Sequence, residues 1–292
     1  MQHNQSIQPT IGFIGQGFVG KNYADDFDRR GYTTIRYSLE EPYISNKDRI
    51  AECDIVFIAV PTPTTPEGFD FSIVREAIGL VGSEKIAVIK STVIPGTTES
   101  LQKEYSDRSV FYSPEFLSEA TAAHDAAHPF ASVVGIGVEN PTHRRNAEKT
   151  LSVLAPTSLS LICKSVEAEF MKYTHNVNGY VQVIFYNIMY DLATTLGSKW
   201  STIKEFLAVD PYINDWYTQP VHKSGRGAGG HCFIKDFAAF RELYAQKLPE
   251  QAVALSILDA VAQKNIELLR DSGKSLDLLT GVYGDPVLRN EA

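Results

Sequence analysis

The sequence predicts an α/β fold: a doubly wound parallel sheet followed by a mostly helical part with one long central helix. Two patterns predict it. Short apolar runs alternate with helical stretches over the first 165 residues, and a proline-free, helix-compatible run follows directly. The expected domains are therefore residues 1–165 and 166–292.

The expected strands are the apolar runs Ile11–Ile14, Asp54–Val60, Ile86–Lys90, Val110–Tyr112, Val133–Val138 and Ser158–Cys163. Between them, Phe18–Arg29, Ser72–Val81 and His143–Leu154 carry helical spacing. Such alternation implies parallel pairing through right-handed crossovers. From Ser165 to Leu196 there is no proline and a single interior glycine, Gly179. That predicts a helix of roughly 30 residues, on the order of 45 Å long. Phe170, Val177, Val181, Ile184, Phe185, Ile188 and Leu192 crowd most of its sides. The helix is therefore expected to be buried all round, in part by a second subunit, as a homodimer through 165–196. Further helices are expected at Ser201–Ala208, Phe237–Gln246 and Pro249–Arg270, with a glycine-rich loop at Gly225–Gly230.

Composition removes several function classes. With 27 basic and 35 acidic side chains the formal charge is −8, which disfavours nucleic acid as a partner because phosphate binding needs a basic face. The opening MQHNQSIQPT lacks the basic-then-apolar pattern of a secretory signal, and no run of about 18 apolar residues predicts a membrane span. Three widely spaced cysteines, Cys53, Cys163 and Cys232, fit a reducing compartment, hence the cytoplasm, and give no zinc spacing. No metal is expected.

Gly15-Gln-Gly17-Phe-Val-Gly20 follows the first strand and opens the first helix. Gly15 permits the tight turn, Gly17 lets a pyrophosphate approach the backbone, and Gly20 allows close helix packing. The helix N-terminus supplies free N–H groups to the phosphates. The expected domain is accordingly Rossmann-like, with Gly15, Gly17, Phe18, Val19 and Gly20 at the cofactor. The second strand, Thr33–Ser38, has Arg36 and Ser38 where NAD sites usually carry an acid. Glu40 could replace that acid from the following loop, or Arg36 with Ser38 could accept a 2′-phosphate. NAD is the expected cofactor, and NADP stays open.

Cys232 ends the run Gly225-Arg-Gly227-Ala-Gly229-Gly230-His231-Cys232 and precedes Lys235 and Asp236. Four glycines in six positions are costly in chain entropy, so something approaches this backbone closely or its dihedrals are unusual. A thiol there, beside His231 and Lys235, is expected to ionise more readily than the ordinary value of about 8.5 allows, and a thiolate attacks carbonyls. Cys53 and Cys163, at the edges of apolar strands, read as inert small hydrophobes.

Six segments in order resemble the UDP-glucose/GDP-mannose dehydrogenases, over about residues 11–266. They are GFIGQGFVG, Pro61-Thr62-Pro63 with Asp70-Phe-Ser72, Ser91-Thr92-Val-Ile-Pro95-Gly96-Thr97, Ser113-Pro114-Glu115-Phe-Leu-Ser-Glu119, Glu167-Ala-Glu169-Phe-Met-Lys172-Tyr-Thr-His-Asn176, and the Cys232 loop. The resemblance implies oxidation of a sugar's primary alcohol to a carboxylate in two hydride steps, the sugar being free or nucleotide-linked. It implies that Cys232 is the nucleophile, carrying a thiohemiacetal and then a thioester. Lys172 and Asn176 would stabilise oxyanions, Thr92 and Asp236 would position a water, and Glu115 would act as base in the hydrolysis. Ser38, Pro61, Thr62, Thr92 and Glu119 would join the cofactor site. Phe116, Leu117, Gly229 and Gly230 would join Glu115, Lys172, Asn176 and Cys232 around the substrate.

Each position also has a plainer reading. Lys172 and Asn176 read equally as exposed helix positions, Glu115 and Glu119 as a first-turn helix cap after Pro114, and Thr92 as a turn residue. His124, His128 and His143 read as surface residues, and His175 as packing.

Three departures from the family bear on the substrate. The resemblance predicts a further nucleotide-binding domain that this sequence, ending LDLLTGVYGDPVLRNEA, does not contain. The family's Asp-x-Arg-Ile, whose arginine reaches the neighbouring subunit's substrate, reads Asp210-Pro-Tyr212-Ile213, and its Asn-Glu reads Asn187-Ile188. The arginine expected after Pro129 is missing as well. The reaction type is thus better specified than the substrate. Two alternatives stand beside it: a single-step β-hydroxyacid or 6-phosphogluconate type using Lys172, and an inactive cofactor-binding or partner-binding protein.

Overall fold

The computed structural model describes residues 8–288. Residues 1–7, within the polar opening stretch expected to carry no secretory signal, and residues 289–292 at the chain's end lie outside the described residues.

In chain order come β1 (Ile11–Ile14), α1 (Phe18–Arg29), β2 (Thr34–Tyr37), a 3-10 segment (Ile44–Glu52) and β3 (Ile55–Ile58). The small hairpin β4 (Thr64–Thr65) and β5 (Gly68–Phe69), α2 (Ser72–Gly79), β6 (Ile86–Ile89), α3 (Thr97–Glu104) and β7 (Ser109–Tyr112) follow. Then come α4 (Ala122–Ala127), β8 (Ala131–Ile136), α5 (Pro141–Val153), β9 (Leu159–Lys164) and α6 (Ser165–Thr195). The chain continues through α7 (Trp200–Leu207), the hairpin β10 (Val221–His222) and β11 (Gly225–Arg226), α8 (Gly230–Lys247), α9 (Ala252–Ser272) and α10 (Leu276–Tyr283).

The described chain divides into two compact units. The first comprises residues 8–62 and 71–172; the second comprises Pro63–Asp70 and residues 173–288. The division falls inside α6, after Lys172, and the β4–β5 hairpin belongs to the second unit.

The first unit is built on a seven-stranded sheet of order β2-β1-β3-β6-β7-β8-β9. Every residue of β1, β3, β6 and β7 is buried, which is why these strands read as continuous apolar runs. β1 pairs in parallel with both β2 and β3, so the strand order reverses beside it. In such sheets the ligand crevice lies at the carboxyl ends of the strands at that reversal. Gly15, the segment after β3, Thr92 after β6 and Glu115 after β7 all follow carboxyl ends of this sheet.

The expectation of a parallel sheet needs one correction: β7 and β8 are antiparallel. Between them the only helix, α4, has six residues and rises about 9 Å, short of the roughly 13 Å of a four-residue strand. The chain is not carried back to the starting edge. The core gathers Phe13, Phe27, Phe57 and Phe111 with aliphatic neighbours, and the Phe13 and Phe57 rings stack at 5.4 Å.

α6 is not covered all round by its own chain. Val181, Phe185, Ile188, Met189 and Leu192 form one stripe and are 38–57% exposed, so within one chain the helix is buried on one side only. Its interior Gly179 is explained by packing. A Cβ there would lie 2.8 Å from the Phe233 ring and 2.9 Å from that of Tyr217.

In the second unit Tyr180 stacks on Phe237 with centroids 4.0 Å apart, within a cluster that includes Ile184, Ala262 and Leu268. α8 begins at Gly230, seven residues before the expected Phe237. Glycines disfavour helix, and this start is tied down by a bond from Gly230 N to Ser275 Oγ. Among the described residues no helix is long and apolar enough to cross a membrane.

Gly20 is the tightest point of the first turn, because a Cβ there would lie 1.9 Å from the Gly15 carbonyl oxygen. Gly20→Ala is expected to destabilise the chain by about 1–3 kcal/mol, read as a lower denaturant midpoint. An unchanged midpoint would show that the turn relaxes without cost.

Candidate active site

The glycine turn is shaped as a phosphate cradle. Gly15 has φ +89°, a conformation that favours glycine, and a Cβ there would strike the Ala59 carbonyl at 2.2 Å. Gly17 is the N-cap of α1, has no side-chain capping bond, and faces open space where a Cβ would meet nothing within 4 Å. No acidic residue lies in the first turn. The leading N–H groups of α1 therefore face an open, anion-favouring position, and the residues fit a dinucleotide's pyrophosphate. Phe18 is exposed, and Val19 packs on the sheet core.

Beyond β2, Arg36 is committed elsewhere. Its guanidinium pairs with Asp25 at 2.7 Å and with Asp28, so a 2′-phosphate would have to displace two carboxylates. Ser38 donates to the Glu40 carbonyl at 3.1 Å, and Glu40 is exposed. Near the ends of β3 and β6, Thr62 donates to the Thr92 carbonyl at 2.8 Å and Ser91 Oγ to that of Val60 at 2.7 Å. Thr62 and Thr92 are buried and Pro61 is exposed.

A compact charge cluster lies after β7. No helix starts at Pro114, so the reading of Glu115 and Glu119 as a helix cap fails; residues 113–118 are irregular. Glu115 is 6% exposed and Lys172 3% exposed. Lys172 Nζ donates to Glu115 Oε1 at 2.8 Å and to the Glu115 carbonyl at 2.7 Å. Glu115 Oε2 accepts from Leu117 N at 2.8 Å, and the Phe116 ring centre is 5.6 Å from Lys172 Nζ. Burial pushes the Glu115 carboxyl up, but the Lys172 charge and hydrogen bond, the Leu117 N–H and Lys90 outweigh it and hold it below the usual range. Glu119 is exposed.

In the second unit, Asn176 is 5% and Asp236 1% exposed. Asn176 Nδ2 donates to Asp236 Oδ2 at 2.6 Å, and Lys235 Nζ reaches Asp236 Oδ1 at 2.5 Å. Asp236 stands one turn after Cys232 on α8, on the same face. Cys232 is exposed, in the first turn, behind the N-cap Gly229 and Gly230. The preceding loop is held by residues that sequence reasoning missed. Asn265 accepts from Ala228 N at 2.7 Å and donates to Ala228 O at 3.0 Å. Lys274 donates to the Gly227 carbonyl at 2.8 Å, and Ser275 Oγ accepts from Gly230 N at 3.3 Å. Gly227, at φ +87°, leaves no room for a side chain, since a Cβ would lie 2.9 Å from Asn265 Oδ1.

Of the predicted residues, Glu115 and Lys172 meet in the first unit, as do Thr62 and Thr92; Asn176 and Asp236 meet in the second, on whose α8 Cys232 also lies. Lys172 and Asn176 are buried, which overturns their plainer reading as exposed positions. His175, expected to pack, is exposed. Burial raises the thiols of Cys53 and Cys163 to about 11. Lys90, also missed, is buried 4.2 Å from the Tyr23 ring centre and donates to Ser113 and Pro114. Its only signal was a lysine closing an apolar strand. Asn265 had a similar one, a polar residue on the apolar face of α9. Among the described residues no cluster of three or more His, Cys, Asp or Glu could hold a metal ion.

Lys172→Met would leave Glu115 buried beside Lys90 alone and is expected to cost about 3–5 kcal/mol at neutral pH. Because the folded carboxyl titrates below its ordinary 4.5, the stabilisation is present above that value and lost as pH falls through the lower folded one. Urea denaturation across pH checks this, and an equal loss in acid and at neutrality would overturn it.

Two family models match the chain. The one described as the UDP-glucose/GDP-mannose dehydrogenase family, NAD binding domain, matches residues 39–153, and that of the same family's central domain matches residues 166–267. A putative UDP-glucose 6-dehydrogenase, YtcA, of Bacillus subtilis is 31% identical over 217 residues, covering 70% of this chain and 49% of that protein. The structure of a UDP-glucose dehydrogenase from Pyrobaculum islandicum superimposes with a TM-score of 0.75 at 27% identity, covering 93% of this chain and 72% of that one. A 3-hydroxyisobutyrate dehydrogenase from Mycobacterium tuberculosis shares the fold, with a TM-score of 0.66 at 17% identity, over 90% of this chain and 96% of that one. The chain thus spans about half the length of the Bacillus relative.

Proposed function

Because the chain belongs to the UDP-glucose/GDP-mannose dehydrogenase family, we propose that it oxidises the primary alcohol of a nucleotide-linked sugar to the carboxylate, using NAD and a covalent Cys232. The observation that carries the reading is the buried Asn176–Asp236 pair, with Cys232 one helical turn away on the face that bears Asp236. NAD, when bound, accepts a hydride in each of the two oxidations. Gly15, Gly17, Gly20 and the first turn of α1 would hold its pyrophosphate, with Pro61, Thr62, Thr92, Ser38 and Glu119 around the remainder. The commitment of Arg36 to Asp25 and Asp28 favours NAD over NADP.

The chain's own groups then divide the work. Asp236, oriented by Asn176, positions the water through which the alcohol proton leaves, with Thr92 as second anchor. Cys232 adds to the aldehyde as a thiohemiacetal and is left, after the second oxidation, as a thioester. The first turn of α8 favours its thiolate. Lys172 and Asn176, four residues apart on α6, stabilise the oxyanions. Glu115 acts as base in hydrolysis of the thioester, and Phe116, Leu117, Gly229 and Gly230 line the substrate. In this reading residues 1–165 form the cofactor domain and 166–292 the domain carrying the cysteine, and the chain works in the cytoplasm, where thiols stay reduced. The exposed stripe from Val181 to Leu192 supports a homodimer through α6, since apolar patches of this kind mark interfaces.

The test is a screen of nucleotide sugars and free sugars for NAD reduction. Two equivalents of NADH per product are expected, and Cys232→Ser should lower turnover on the order of 10³-fold or more. Peptide mapping of a trapped adduct should place it on Cys232. One equivalent per product, with Cys232→Ser unimpaired, would replace this reading by a single-step dehydrogenase.

A further inference from the structure

Lys90 closes the apolar strand run of β6 and is 3% exposed. Its ammonium donates to Ser113 Oγ at 3.1 Å and to the Pro114 carbonyl at 3.3 Å, the two residues immediately before Glu115. The Tyr23 ring of α1 covers it at 4.2 Å and the Phe57 ring of β3 at 6.0 Å. Glu115 is in turn gripped by Lys172 of α6. One buried carboxylate therefore answers two buried ammoniums, and only Lys172 pairs with it directly. We propose that Lys90 is a positioning residue for Glu115, fixing the Ser113–Pro114 segment that carries it and biasing its charge through a second ammonium. The inference rests on the role given to Glu115 above.

The physical basis is the cost of burying charge. Burial brings the Lys90 ammonium down to about 7; the Glu115 charge opposes that shift and the like charge of Lys172 adds to it. Other charged groups also surround the site. Asp26 and Arg30 of α1 share a small cavity with Lys90, and Asp125 of α4 acts on Tyr23. As Lys90 loses its proton near neutrality, the neutral amine keeps N–H groups for Ser113 and Pro114 but ceases to stabilise the Glu115 carboxylate. Since its folded value lies below the ordinary 10.5, the destabilising cost of its charge is full below about 7 and disappears as pH rises from there toward 10.5.

Two variants separate charge from packing: Lys90→Arg keeps the charge at every accessible pH, and Lys90→Met removes it. Carbon-13 titration of the Glu115 carboxyl should move upward by about one unit in Lys90→Met and stay in place in Lys90→Arg. Turnover of the unaltered protein should show an inflection near pH 7 that both variants lack, with KM unchanged. An identical Glu115 titration in all three proteins, or an inflection persisting in Lys90→Met, would overturn the proposal. Should neither variant fold, the lysine side-chain carbons of the unaltered protein decide: one lysine titrating near 7 supports the proposal, and none doing so defeats it. A chain that reduces no NAD with any sugar would defeat the dehydrogenase reading alone, because the carboxyl titrations do not depend on turnover.

Discussion

Four side chains buried along one side of α6 carry a charge or an amide, and each must be answered. Glu169, Lys172, Asn176 and Asn187 are at most 5% exposed, and an unpaired polar group at such depth costs on the order of 1–3 kcal/mol, more if charged. Every one has a partner. Glu169 accepts from Gly96 N at 2.6 Å and Thr98 N at 2.8 Å, Lys172 holds Glu115, Asn176 holds Asp236, and Asn187 accepts from Arg226 at 2.8 Å. Within each unit, α6 thus supplies the partner of a buried carboxylate: Lys172 for Glu115 and Asn176 for Asp236. Glu169 caps the start of α3, and although its hydrogen bonds pull its carboxyl down, burial wins and raises it.

The cysteine loop follows the same economy. Its glycines are demanded less by a ligand than by neighbours on α9 and beyond. Ser272 and Lys274 crowd Gly225, Asn265 crowds Gly227, and Ser275 crowds Gly229. Backbone groups freed from regular structure must still be bonded, and Asn265, Lys274 and Ser275 bond them. Arg226 ties the loop's start to Asn187 and to Asp191 at 2.7 Å. Cys232 thus follows a loop whose backbone is held by side chains far along the chain.

Much of this was legible beforehand. β1 and α1 have the bounds that apolar run and glycine fingerprint predict, and α6 ends one residue short of expectation. Those elements are specified by their own residues. The antiparallel β7–β8 pair was not legible, because direction depends on where a short connection delivers the chain. The helical start at Gly230 was hidden for a related reason: its sequence resists helix, and the bonds that impose one come from residues 35 and more positions away. Lys90 escaped notice because a lysine closing a strand looks like a solvated end, and only the fold covers it with Tyr23.

The sequence by itself determined where the seven strands of the main sheet and the long helix lie, where the dinucleotide turn is, and which family's motifs the chain carries, since periodicity, glycine placement and motif order are local properties. Only the tertiary structure decided which charges are buried and what answers them. Glu115 and Lys172 are 57 residues apart, and Asn176 and Asp236 are 60 apart. No local pattern encodes such pairs. They form because a charge withdrawn from water must meet an opposite charge or a hydrogen-bond donor, and the fold determines which one is within reach.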